Sequence, residues 1–239
     1  MPAPPFLPPS PNKGNAMRER PILFTGPMVR AILAGNKTQT RRVAKPVRHP
    51  DWGNLYDPGV LAREPQYTID LACPYGQPGD RLWVRESTHR RPMLNLLTGE
   101  PLADKYDGGA YTADGADVLT PEGFDLAWWY SRKSCPSIHM PRSACRLVLG
   151  ITSVRVERLQ AISYEDALAE GAFDPRMFWG TEFDDVDGES ADELARRLQW
   201  PQRAFRELWC GINGAGAWDA NPWVWVVEFR QADTDKKEM

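Results

Sequence analysis

The chain has 239 residues, and its 29 basic against 32 acidic side chains leave a formal charge of −3. Charged residues make up 26%, mean hydropathy is −0.51, and no apolar run approaches the roughly 20 residues a membrane-spanning helix needs, which excludes a helical membrane protein. The near-neutral balance also excludes a protein held to nucleic acid by bulk charge, leaving a local basic patch as the possible electrostatic footprint.

Ten Trp and 22 Pro point to a loop-rich fold with large aromatic anchors rather than a helical bundle. Cys73, Cys135, Cys145 and Cys210 lie far apart with no CxxC pair, which fits a reduced, cytoplasmic setting better than a disulfide framework. The start of the chain is dominated by Pro and carries no apolar stretch of the secretory type.

Residues 1–19 have too little apolar surface to fold and read as a disordered Pro-rich tail. The predicted elements begin with a short apolar strand, Ile22-Leu23-Phe24. Thr25-Gly26-Pro27 then starts a helix with Pro in its first turn, and Met28, Ile32 and Leu33 recur at helical spacing. Gly35 stops that helix in a left-handed conformation, and Lys37 to Val43 follows as an extended strand.

Gln77-Pro78-Gly79-Asp80 is turn chemistry ahead of a strand from Arg81 to Glu86. Two extra segments, near 45–72 and 90–137, interrupt the core elements. The strongest strand signal is Arg146 to Leu159. There Leu147, Leu149 and Ile151 share a face, but Val154 and Val156 fall out of phase, which predicts a bulge near Thr152-Ser153. Ser163, three residues before Asp166, caps a short helix reaching Glu170, with Gly171 as its stop. The acidic stretch 182–193 reads as a solvated loop. A last helix from Trp200-Pro201 carries Phe205, Leu208, Trp209 and Ile212 on one face. The closing strand Pro222 to Phe229 is apolar on both faces, so it belongs in the middle of a sheet; residues 231–239 form a charged tail. Strands without regular crossover helices disfavour a Rossmann-type sheet and point to an α+β fold, a small mixed β-barrel with packed helices.

Several chemistries find no support. There is no Walker loop, no GxGxxG after a strand and no HExxH. Cys135, His139 and Cys145 have spacings that match no common zinc pattern, so the sequence implies neither metal nor cofactor.

The informative stretch runs from Gly35 to Arg42, which sets a lysine, two threonine hydroxyls and two guanidiniums just after a helix stop. A lysine whose amine is made less basic by burial can serve as base to a neighbouring hydroxyl. A solvated turn lysine leading into an amphipathic strand is the plainer reading of the same residues.

Gly35-x-Lys37-Thr38-x-Thr40-x-Arg42 after a short helix resembles the signature of the ASCH family of the PUA-like superfamily. The rest of the order is similar to that family as well: the Gly79-Asp80 turn heading Arg81 to Val84, the strand from Ile151 to Val156, its following helix, and the strand from Trp223 to Phe229. CPYGQPGDRLWVRE, PSIHMPR and WDANPWVWVVEF look like a larger ASCH group common in phages and prophages. The resemblance covers 20–230 outside the two extra segments.

What the resemblance implies is a PUA-like β-barrel with a cleft for a nucleobase, nucleoside or single-stranded RNA. It also implies hydrolysis of an N4-acylcytidine amide in which Lys37 acts as base, Thr40 as nucleophile and Glu170 as the proton donor; Glu165 competes for the last role, and Glu165 or Glu86 is the next carboxylate if Lys37 does not meet Glu170. Non-catalytic RNA or modified-base binding, or ribonuclease activity, are the alternatives. Binding roles fall to Thr38, Arg41, Arg42, Arg81 and Arg85, with Lys45, Arg48, Arg90 and Arg91 extending a basic rim. Trp128 and Trp129 are candidates for base stacking, or else plain anchors of the second insertion. No obligate protein partner is implied.

Overall fold

The computed structural model describes residues 17–172 and 199–232, together with Glu193 and Arg196. The acidic stretch and most of both expected tails therefore lie outside the described residues. Two tail boundaries are corrected: Glu19 opens the first strand, where Arg142 grips its carboxylate at 2.7 and 3.0 Å, and Gln231 closes the last.

In chain order the described elements are β1 (Glu19–Leu23), α1 (Gly26–Leu33), β2 (Gln39–Val43), β3 (Val47–Arg48), β4 (Leu55–Tyr56), α2 (Pro58–Leu61), α3 (Gln66–Ala72), β5 (Arg81–Arg85), β6 (Thr88–Leu94), β7 (Pro101–Tyr111), β8 (Asp117–Val118), β9 (Ser134–Cys135), β10 (Val148–Arg158), α4 (Tyr164–Ala169), α5 (Trp200–Asn213) and β11 (Trp223–Gln231). The chain is α+β. Its main sheet has the order β1-β5-β10-β11-β2, parallel only between β1 and β5.

Among the described residues this sheet does not close into the expected barrel, because β1 and β2 are its two edges. The edges are linked instead by a side chain. Arg42 on β2 donates to the carbonyl of Leu23 at the end of β1, 2.6 Å away, and its guanidinium lies 5.4 Å from the Phe24 ring centre. The sheet is thus curled until its edges are one arginine apart.

Burial on both faces explains the all-apolar β11. Trp225, Val227 and Phe229 pack with Phe24, Val29, Ile32 and Leu82 on one side; Val224 and Val226 pack with Ala167, Phe205 and Trp209 on the other. Burying two such faces, at about 25 cal/mol per Å² of apolar surface, is the main force holding α1 and α5 against the sheet. The bulge in β10 falls where the apolar phase changes, as a register shift between Ile151 and Ser153 against β11.

The first extra segment forms the hairpin β3–β4 with α2 and α3, and the helices pack on β10. The second builds its own four-stranded sheet, β8-β7-β6-β9.

Candidate active site

Lys37 is set by the end of α1. Gly35 takes φ +77°, a conformation that a glycine adopts without steric cost, and so turns the chain to bring Lys37 beside the far end of α4. There Lys37 and Glu170 are backbone bridge partners, and Thr38 donates its amide to the Ala169 carbonyl at 2.8 Å. The Lys37 amine donates to the Glu170 carboxylate Oε2 at 2.8 Å and to the Glu170 carbonyl at 2.9 Å. Both side chains are almost wholly buried, 1% and 3% exposed. Burial pulls the amine below its ordinary pKa, with the charge of Glu170 opposing.

Register explains the charges behind this pair. Arg41, Val226 and Arg155 form one row across β2, β11 and β10, so two guanidiniums emerge on the face covered by α4. Asp166, which closes the capping box with Ser163, bridges them: Oδ2 accepts from Arg41 at 2.9 Å and Oδ1 from Arg155 at 2.7 Å. Arg41 also reaches Glu157 at 2.6 Å and Glu170 Oε1 at 3.1 Å. Arg155 holds Glu157 at 3.0 Å and bonds Glu228. Burial raises the Asp166 pKa, but Arg41 and Arg155 outweigh it and hold the carboxyl below its ordinary value.

In front of this network, along edge strand β2, lies a cavity of about 400 Å³. Thr40, Arg41, Arg42 and Glu170 line it; Phe24 and the Phe205–Trp209 side of α5 give it apolar walls, and Glu86, Ser87 and Thr112 close it at the base of the second sheet. Its volume falls within the roughly 300–1,000 Å³ usual for small-molecule sites. Thr40 is 2% exposed, and among the described residues no hydrogen bond joins it to Lys37.

The residues singled out in the sequence divide accordingly. Lys37, Thr40, Arg41, Arg42 and Glu170 come together. Glu165 faces outward and pairs with Arg196 at 3.1 Å. Thr38 lines a separate groove with Asp166 and Glu228. Arg81 lies on β5 opposite Glu19, and Arg85 donates to the Ile138 carbonyl. Of the wider rim, Arg48 bonds the Gly53 carbonyl and Arg91 pairs with Asp117, both away from the cavity. Trp128 lies against the backbone of Gly109 on β7, with Arg90 over its ring, and Trp129 packs on the cluster around Tyr111 and Met140; neither lines the cavity. Among the described residues, Cys135, His139 and Cys145 form no group able to hold a metal.

Glu86, a further carboxylate that the sequence offers, lines the cavity and is held by Arg146 at 2.8 and 2.9 Å; sequence reading gave no site role to Arg155 or to Glu157, Asp166 and Glu228, whose carboxylates balance Arg41 and Arg155. The charged Arg155-x-Glu157 alternation between Val154 and Val156 was the available signal. Comparison with protein-family models, with curated proteins and with solved structures finds no match for this chain. Among the described residues, no helix is long and apolar enough to cross a membrane.

Proposed function

We propose that this protein is a PUA-like, ASCH-type amidohydrolase that removes an acyl group from the exocyclic nitrogen of a cytosine-like nucleobase. The observation that carries the reading is the buried Lys37–Glu170 contact at 2.8 Å beside a cavity that Thr40 and Glu170 both face. A hydroxyl, an amine of lowered basicity and a carboxylate are the groups that amide hydrolysis needs.

In this scheme neutral Lys37 takes the proton of Thr40 as its oxygen attacks the acyl carbon. The base step requires the amine to release the Glu170 carbonyl and turn toward Thr40. The proton passes from Lys37 to Glu170 and on to the departing nitrogen as the carbon–nitrogen bond breaks. Water then hydrolyses the Thr40 ester by the same path and releases the free acid. Each proton transfer supports rate by on the order of 10²–10⁴-fold. Phe24, Phe205 and Trp209 supply the flat apolar walls that suit a base.

Incubation with N4-acetylcytidine, followed by chromatography for cytidine, tests the reading. Turnover that is lost in Lys37→Ala and Thr40→Ala supports it; no turnover by the wild type of either the acetylated nucleoside or its 5′-monophosphate overturns it. A second reading, a non-catalytic pocket for a modified base, is favoured by one observation: the Lys37 amine gives its hydrogen bonds to Glu170 and none to Thr40. Binding of the acetylated nucleoside without release of cytidine would establish it.

A further inference from the structure

Among the described residues four ionisable side chains line the cavity, and three are already matched. Arg41 meets Glu157, Asp166 and Glu170; Glu170 meets Lys37 as well; Glu86 is held by Arg146. Arg42 is the exception. Among the described residues no carboxylate lies within ion-pair distance of it. Among the described residues its one hydrogen bond goes to the Leu23 carbonyl, its Nε is buried without a partner, and its guanidinium carbon lies 5.4 Å from the Phe24 ring centre. A partly buried cation with no carboxylate at ion-pair distance is stabilised by an anion brought to it.

We propose that Arg42 is the anchor for a phosphate group of the ligand, so that the substrate is a nucleoside phosphate rather than a free nucleoside. This rests on the nucleobase reading of the cavity. A guanidinium with unused donors is the side chain best suited to grip two phosphate oxygens at once. Position agrees. Thr40 and Arg42 are two residues apart on β2 and share a face, roughly 7 Å apart along the strand. The long arginine side chain extends that span, leaving room for the base at Thr40 and the phosphate at Arg42. Ser87 and Thr112 also line the cavity and offer hydroxyl donors. Burial pulls the Arg42 pKa below its ordinary value, with Tyr75 and Glu170 opposing.

The phosphate can belong to a mononucleotide or to an RNA backbone, and calorimetric titration of the full-length protein distinguishes the two. The probes are cytidine, cytidine 5′-monophosphate, ribose 5-phosphate and a short oligocytidylate. The monophosphate is expected to bind at least tenfold more tightly than cytidine, with the advantage shrinking as salt rises. Arg42→Gln, which keeps a donor for the Leu23 carbonyl, should bring the two to parity; Arg42→Lys should retain part of the difference. Equal binding of cytidine and its monophosphate by the wild type, or no binding of any phosphate-bearing probe, overturns the proposal, and this comparison needs no variant to fold. Ribose 5-phosphate binding as well as the nucleotide would uphold the phosphate anchor while removing the nucleobase reading. An oligocytidylate bound far more tightly than the monophosphate would make RNA the source of the phosphate.

Discussion

The Lys37 amine stands 2.8 Å from a carboxylate oxygen of Glu170, a residue 133 positions later, and the two residues are also bridge partners through their backbones. Position and charge of the pair are therefore fixed together. The bridge holds the two backbones together, while the amine can still turn on its side chain, and the carboxylate is also tethered to Arg41 at 3.1 Å.

This arrangement makes the two members unequal. Removing one partner of a buried ion pair costs about 3–5 kcal/mol, because the other charge stays buried. Lys37→Met leaves Glu170 with Arg41, so its cost is expected at the low end. Glu170→Leu leaves the buried Lys37 amine without its carboxylate, while Arg41 keeps Glu157 and Asp166, and is expected at the high end. Urea denaturation of the singles and the double variant checks this; equal costs for the two singles would contradict the shared-carboxylate picture.

A glycine protects the same contact. Gly171 has φ +70°, and a Cβ there would lie 3.0 Å from the Lys37 Cβ and 3.1 Å from the Ala31 Cβ. Gly171→Ala should cost about 1–2 kcal/mol from the left-handed backbone alone, with crowding of Lys37 in addition. Thermal unfolding measures the stability, and turnover of an acylated cytidine measures the displacement of Lys37.

The pH dependence has a determined sign. Burial lowers the Lys37 pKa below its ordinary 10.5. Over the interval between the folded value and 10.5 the unfolded chain binds the extra proton, so this residue's contribution to stability rises with pH. Turnover by neutral Lys37 should rise in the same direction, with a midpoint below 10.5 that disappears in Lys37→Met. A rate independent of pH from 6 to about 10 would remove the lysine from the base role.

At the acid end Asp166 decides. Its carboxyl is held below the ordinary 3.8, because Arg41 and Arg155 outweigh the effect of burial. A depressed carboxyl contributes stability that is complete above the unfolded pKa and is lost as pH falls through the folded value. The protein should thus weaken below about pH 4. Arg155→Met should shift that loss to higher pH, as measured by circular dichroism during acid titration.

The sequence by itself determined the local elements, because their signals are local. Thr25-Gly26-Pro27 starts α1, Gly35 at φ +77° ends it, Ser163 and Asp166 close a capping box, and Gly171 at φ +70° stops α4. The phase change after Ile151 marked the bulge, and the unbroken apolar run from Trp223 to Val227 placed β11 inside the sheet. These follow from steric limits on φ and from the two-residue period of a strand.

Only the tertiary structure decided which charges meet. Arg41 and Arg155 are 114 residues apart and face one carboxylate because the register of β2, β11 and β10 sets them in a row with Val226. Nothing local to either residue encodes that row. The open sheet, too, was decided at this level: β1 and β2 are left as edges, and Arg42 spans the gap between them to Leu23. Strand order is chosen by the burial of both faces of β11 under α1 and α5, a summed packing energy that no short stretch of sequence contains.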